Sequence, residues 1–362
     1  MQAIQEQTAQ PAGATLAARW QALRGQQPNL RIRDAARSLG VREAELLATN
    51  CGNGVTRLAG DWREVLKQVP SLGRVMALTR NENCVHERKG IYGMPSFDGH
   101  IGLVLGDDID LRIFVSNWDS GFAVRETLAK GTERRSLHFF DAAGGALHKI
   151  YLQEEADTSA FDRIVAAYAA PDQSPIQPVG SLPDATPDRP DGEIEVERMR
   201  ERWANLKDTH DFFPLLRKYK VGRKQALRLG GGDFAVELKT ADVRAMLEAA
   251  SARDLPIMVF VGNRGIIQIH TGPTRKLVAM GDWFNVLDPD FNLHLRESGI
   301  ESVWLVRKPT SDGDVTSIEV FDAAGELIVT FFGKRKPGQP EDQAWRQLAH
   351  SLAGGRLSPA WT

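Results

Sequence analysis

SLHFFDAAGGAL occupies residues 136–147, and SIEVFDAAGELI occupies residues 317–328. Each reads as a strand, an Asp-Ala-Ala-Gly turn and a returning strand, with glycine supplying the unusual backbone angles of the turn. Working outward, VMALTRNE at 75–82 matches IMVFVGNR at 257–264, and LRIFVSNW at 111–118 matches LHLRESGI at 293–300. The matching pieces stand about 181 to 183 residues apart along the chain. The sequence is therefore a tandem duplication of one folding unit, and the unit decides the fold.

Within the first copy, residues 15–48 carry a helical pattern, with Leu16, Trp20 and Leu23 on one face and two short helices around Gly40. A further helix is expected over 62–68. Strands are then expected at 75–78, 100–105, 110–114, 135–140 and 147–151, and a helix over 159–168. The second copy repeats the order. It is helical from 192 to 220, with a helix over 243–250. Its strands are expected at 257–261, 265–270, 271–280, 292–295, 302–308, 316–321 and 328–332. Helices first and antiparallel strands afterwards argue for an α+β fold with two large antiparallel sheets, each with attached helices. Between the copies, AAPDQSPIQPVGSLPDATPDRPDGEIE is rich in proline and poor in large apolar groups. It reads as an extended, mostly solvated linker. The expected division is an N-terminal repeat at 15–170, a linker at 171–193 and a C-terminal repeat at 194–355.

The chain has 362 residues, 42% hydrophobic and 25% charged, with a formal net charge of -2. Bulk charge gives no argument for nucleic acid or an anionic membrane surface. No apolar run is long enough to span a bilayer. The first residues lack a basic start followed by an apolar stretch, so they read as a frayed cytoplasmic terminus rather than a signal peptide. Two cysteines, Cys51 and Cys84, make no disulfide scaffold and lack metal-finger spacing; a reducing compartment fits. Strand–GxGxxG–helix, Walker, GxSxG and HExxH patterns are absent, which weakens Rossmann, P-loop, hydrolase and zincin readings.

The second copy is preceded by Thr209-His210-Asp211-Phe212-Phe213, which the first lacks. An exposed imidazole beside aromatics suits one axial bond to an iron held in a flat apolar ligand such as haem. The competing reading is a helix-capping or surface histidine. Arg223, Lys308 and Arg335 are candidates to hold carboxylates at the rim of such a cleft, or else are solvated surface charges. In Asp110-Leu111-Arg112-Ile113-Phe114, Arg112 faces away from Leu111 and Ile113, either as a sheet-surface charge or with a functional role. Cys84 and His86 are half of a metal site at most, because no second pair has sensible spacing.

NENCVHE at 81–87, DLRIF at 110–114, DTHDFF at 208–213, GNRGIIQIHTG at 262–272, VRKPTSDGDVTS at 306–317 and FFGKR at 331–335 occur in this order. With these motifs the chain resembles the bacterial haemin-degrading factor family, cytoplasmic haem-handling proteins encoded with haem-uptake systems. The resemblance implies haem b (iron protoporphyrin IX) as substrate and ligand, lying at the second half in a cleft also lined by the first. It implies His210 as proximal ligand, Arg112 as distal arginine, Phe114 and Phe260 as neighbouring aromatics, and Arg223, Lys308 and Arg335 beside the propionates. Phe332 stands where many relatives carry tyrosine, so that position has no hydroxyl to donate. Thr209 and Phe212 stand where some relatives carry further histidines, which leaves a histidine relay unsupported. The implied activity is oxidative opening of the macrocycle with release of iron. The alternative is delivery of haem from an importer to a separate haem oxygenase. The implied partners are the importer and an electron donor or the downstream oxygenase, for a protein that is a monomer or dimer, with no nucleic acid and no transmembrane segment. A purely structural scaffold is disfavoured by the concentration of basic and aromatic motifs in the second half.

Overall fold

The computed structural model describes residues 15–128, 131–183, 187–335 and 338–361. The stretch read as a frayed terminus, 1–14, lies outside the described residues, as do three linker positions, 184–186.

The duplicated turn forms for the same reason in both copies. The Oδ1 of Asp141 accepts hydrogen bonds from the main-chain N–H of Ala143 (3.0 Å) and Gly145 (2.8 Å). The Oδ1 of Asp322 accepts those of Ala324 and Glu326 (both 2.9 Å). Gly144 and Gly325 take φ of 75° and 80°, angles that carry a steric cost for residues with a Cβ.

The first repeat supplies strands Val55–Leu58 (β1), Arg74–Arg80 (β2), Cys84–Ile91 (β3), Ser96–Asp98 (β4), Ile101–Val104 (β5), Asp110–Phe114 (β6), Ser120–Thr127 (β7), Glu133–Phe140 (β8) and Ala146–Leu152 (β9). The second supplies Ala235–Leu238 (β10), Ile257–Asn263 (β11), Ile266–Gly272 (β12), Leu277–Met280 (β13), Trp283–Leu287 (β14), Phe291–Arg296 (β15), Ser302–Thr310 (β16), Gly313–Phe321 (β17) and Leu327–Gly333 (β18). They form two nine-stranded sheets, β1-β7-β8-β9-β2-β3-β15-β14-β13 and β10-β16-β17-β18-β11-β12-β6-β5-β4, and the registered strand pairs are antiparallel. The α+β class expected from the sequence is the one observed.

The sheet orders carry a feature that periodicity does not show. Each sheet takes six strands from one repeat and a block of three from the other. The block β4–β6 of the first repeat completes the sheet of the second, through β6 paired with β12. Compact units accordingly cut across the repeats. One comprises Met1–Gly73 with Val115–Leu182, the other Arg74–Phe114 with Pro183–Thr362.

The expected strand over 271–280 is shorter, because Pro273 has no N–H to give a ladder and regular pairing resumes only at Leu277. The proline-rich segment is tethered as well as exposed. At one end the main-chain N–H of Arg57 donates to Gln173 Oε1 (2.9 Å), and Gly180 N–H donates to the Ala142 carbonyl (2.7 Å). At the other, Arg228 Nη2 donates to Asp191 Oδ1 (2.8 Å) and Gln225 Nε2 to the Arg189 carbonyl (2.6 Å).

In the second unit, strict alternation sends Ile257, Val259, Val261, Ile318, Val320 and Phe331 into one buried core with Trp345. Gly333 of the FFGKR motif is fixed by that packing, since a Cβ there would stand 2.5 Å from Trp345 Cγ. Trp20 and Trp203, equivalent in the two repeats, are both buried. Cys84 and His86 are also fully buried, on β3, and among the described residues no group of three or more potential ligands gathers to hold a metal. No described helix is long and apolar enough to cross a membrane.

Candidate functional site

The face of the β10–β4 sheet opposite the core gathers most of the residues singled out from the sequence. Directly opposed residues in an antiparallel ladder point to the same side. Glu319, Thr330, Phe260, Ile269 and Asp110 therefore form one row across five strands. Ser317, Phe332 and Met258 form the next. On the other flank of the first row, Gly262, Ile267, Arg112 and Leu103 line up. Phe114 and Lys308 share the face by alternation. Met258, Phe260, Ile267, Phe332, Leu103 and Phe114 are each half-buried, so this side of the sheet offers a broad apolar surface rather than a sealed core. Phe260 and Phe332 meet edge to face at 5.0 Å.

His210 is reached by a break in the helical pattern. The helix Val196–Ala204 ends, a 3-10 turn spans Thr209–Asp211, and a helix restarts over Phe212–Tyr219. Pro214 sits in the first turn of that helix, where its missing N–H costs nothing. Asp211 Oδ2 accepts from the N–H of Lys207 (3.1 Å) and Asp208 (3.0 Å), and Asp208 Oδ1 accepts from the N–H of His210 (2.8 Å). The same Asp208 oxygen meets His210 Nδ1. The His210 side chain is 89% exposed. With Nδ1–H donated to a carboxylate, Nε2 carries the lone pair outward, the arrangement that metal-bound histidines use. Asp208 is held below the ordinary carboxyl range, first by the His210 N–H, then by its imidazole and by Arg335. Arg335 itself approaches Asp312 at 3.7 Å.

Phe212 and Phe213, side by side in sequence, part company. Phe213 is exposed, whereas Phe212 is buried against Trp203 at 4.5 Å. Beneath Phe212 lies a charge cluster. Arg223 donates from Nε (2.7 Å) and Nη2 (2.8 Å) to the two oxygens of Glu319, and Lys308 Nζ donates to Glu319 Oε1 (2.7 Å). The Arg223 guanidinium stands 5.6 Å and the Lys308 ammonium 4.9 Å from the Phe212 ring centre. Burial opposes ionisation of Glu319, yet the two cations hold its carboxyl well below the usual range. Lys308 is pulled down, by burial first and by Arg223 next.

The sequence candidates thus fall into three groups. Arg223, Lys308, Phe332 and Phe260 join through Glu319 and Phe212. His210 and Arg335 share the neighbourhood of Asp208. Arg112 lies on the same sheet face, where its guanidinium bonds to Asp110 and to the Leu111 carbonyl. Sequence reasoning passed over Asp208, Asp110 and Glu319. Asp208 and Asp110 lay inside quoted motifs, two residues from the groups they hold. Glu319, in SIEVF, carried no signal beyond an acid on an otherwise apolar strand.

A sequence model of the haemin-degrading HemS.ChuX domain matches residues 40–168 and, a second time, 220–352. The chain belongs to the haemin-degrading HemS/ChuX family. The family match falls twice, as the duplication requires. Among curated relatives, the hemin transport protein HmuS of Yersinia pestis is 38% identical over 325 residues, covering 90% of this chain and 93% of the relative. Among solved structures, holo-PhuS, a heme-binding protein from Pseudomonas aeruginosa, is 48% identical with a TM-score of 0.91, covering 93% of this chain and 98% of that one. ChuS, an E. coli heme oxygenase, is 35% identical with a TM-score of 0.84, covering 94% and 99%.

Proposed function

We propose that this protein binds haem b through His210 Nε2 and opens the macrocycle oxidatively, releasing iron after haem uptake into the cytoplasm. The observation that carries the reading is the exposed imidazole whose Nδ1 is committed to Asp208, in the same compact unit as a half-buried apolar face. The donor set suits the substrate. A flat apolar ring matches the surface of Phe260, Phe332, Ile267 and Leu103, and its carboxylates match Arg223 and Arg335. Kinship with a heme-binding protein and a heme oxygenase, each covered over nearly its full length, supports the same reading.

The bound substrate supplies the redox-active iron and the ring that is broken. The chain supplies the rest. Asp208 keeps the imidazole in the tautomer that presents Nε2. Arg112 is the distal group of this reading, a fixed cation placed to orient an oxygen species and to stabilise developing negative charge. Asp110 holds that guanidinium near the sheet. Phe114 and Phe260 exclude water from the apolar side.

The second reading, delivery of haem to a separate oxygenase, is favoured by the openness of His210, which suits loading and release. The importer, an electron donor or that oxygenase would be the partners. Haem-loaded protein given a physiological reductant in the presence of catalase decides between the two. Open-ring product that persists with catalase supports the enzyme. Product that vanishes assigns ring opening to free peroxide and the chain to transport.

A further inference from the structure

Glu319 has no exposed side-chain surface and lies on the site face rather than in the apolar core. Its two oxygens receive Arg223 twice, Lys308 once and the Ser317 hydroxyl at 3.4 Å. The two cations differ in access: the Lys308 side chain is 3% exposed and that of Arg223 is 31% exposed. Arg223 spends Nε and Nη2 on Glu319, and Nη1 takes no part in that fork. The cluster holds two positive charges and one negative, so one positive charge is left over, and it surfaces at one guanidinium edge.

We propose that Glu319 is a specificity-determining positioning residue, an internal carboxylate that occupies Lys308 and one edge of Arg223 so that the cluster accepts a single ligand carboxylate. It orients the guanidinium by a planar two-pronged bond and withholds Lys308 from direct contact. It also caps the attraction for an anionic ligand at one charge, which keeps a dicarboxylate releasable. The second carboxylate of such a ligand falls to Arg335, whose own ion pair with Asp312 is long at 3.7 Å. The inference rests on the haem reading above.

The test is a titration of the full chain with ferric protoporphyrin IX and with its dimethyl ester, at low and high salt. Wild type, Glu319→Gln and the double variant Glu319→Gln/Lys308→Met are compared. The readouts are the free-acid to ester affinity ratio and the rate of transfer to an excess scavenger. In Glu319→Gln the ratio widens by about tenfold at low salt and the transfer of the free acid slows, because a neutral amide leaves a second charge uncompensated. The double variant, with one positive charge again, returns to the wild-type ratio. A ratio unchanged in Glu319→Gln, or a double variant that departs from wild type, overturns the role of Glu319. If Glu319→Gln does not fold, Lys308→Met alone decides: it removes the left-over positive charge, so its ratio is expected to narrow, and an unchanged ratio overturns the proposal. A wild type that does not distinguish acid from ester, or a His210→Ala protein with unaltered haem spectrum, sinks the haem reading itself.

Discussion

The two repeats carry opposite charges at the start of one matching helix. In the second unit Arg223, at the start of a helix, reaches down to Glu319 on a strand. In the first unit the equivalent helix start carries Glu43, and it pairs with Lys149 on β9. His138 stands where the second copy has Glu319, bonded to Ser136 at 2.9 Å, and Tyr151 stands where it has Phe332. Burial, then Lys149 and Arg134, keep His138 well below its ordinary range and therefore neutral. The first unit thus sets one acid against one base, with both side chains buried. The second keeps an extra cation and an accessible edge. One scaffold holds a buried ion pair in one copy and, in the other, a cluster in which two cations share one acid, and the difference lies in a handful of side chains rather than in the fold.

The comparison breaks most easily at its buried carboxylates. Glu319→Ala, which strands buried Lys308 and half-buried Arg223, and Glu43→Ala, which strands buried Lys149, are each expected to cost about 3–5 kcal/mol, with Glu319→Ala the larger. Chemical denaturation measures both, and equal losses would remove the distinction between a pair and a cluster. Asp208→Asn is expected to lower haem affinity by about 10- to 100-fold while leaving the denaturation midpoint in place, since Asp208 is exposed. A shifted midpoint with unchanged affinity would make Asp208 a turn-former alone.

Acid reaches both copies through buried histidines. A histidine whose folded pKa is depressed takes up a proton more readily when unfolded, so stability is full above the ordinary value of 6.5 and falls as pH drops below it. His138→Gln should therefore remove a slope that grows to about 1.4 kcal/mol per pH unit roughly one unit below pH 6.5. Glu319, with its folded pKa depressed, contributes stability that is full above the ordinary carboxyl value of 4.5 and is lost only below it. His270 of the second copy, pulled down to about 3 by burial and then by Arg88, adds a slope of its own, so a His138→Gln protein that keeps the whole wild-type slope would remove His138 from the account. The smallest effect is expected at Phe213→Ser. This exposed ring should change stability by less than about 0.5 kcal/mol, and a larger loss would mean that Phe213 packs in solution.

The duplication, the turn and the alternating strands were legible because each depends on local chemistry. DAAG needs an acceptor and a glycine, and VMALT and IMVFV need one buried side. The same alternation put Arg112 opposite Leu111 and Ile113, both of which are fully buried. Strand β3 was missed because CVHERKGI buries its first three residues in succession and so shows no period of two. Strands β1, β4, β7, β10 and β14 and the helix Gln343–Leu352 were missed as well. Which strand lies beside which was not legible, because alternation reports the face a residue points to and is silent on its neighbour across the ladder. Glu319 escaped for a related reason. An acid on a strand reads as solvated until its partner cations, 96 and 11 positions away along the chain, are known.

The block β4–β6 has a consequence in time. During synthesis it leaves the ribosome long before β12, the strand that receives it, has been made. Until then Ile101, Leu103 and Phe114 ride on a meander with an open hydrogen-bonding edge, which invites pairing with the wrong chain. The sheet that carries Arg112 can close only once both copies are present, so a chain truncated after the first repeat should emerge sticky and incomplete rather than as a working half.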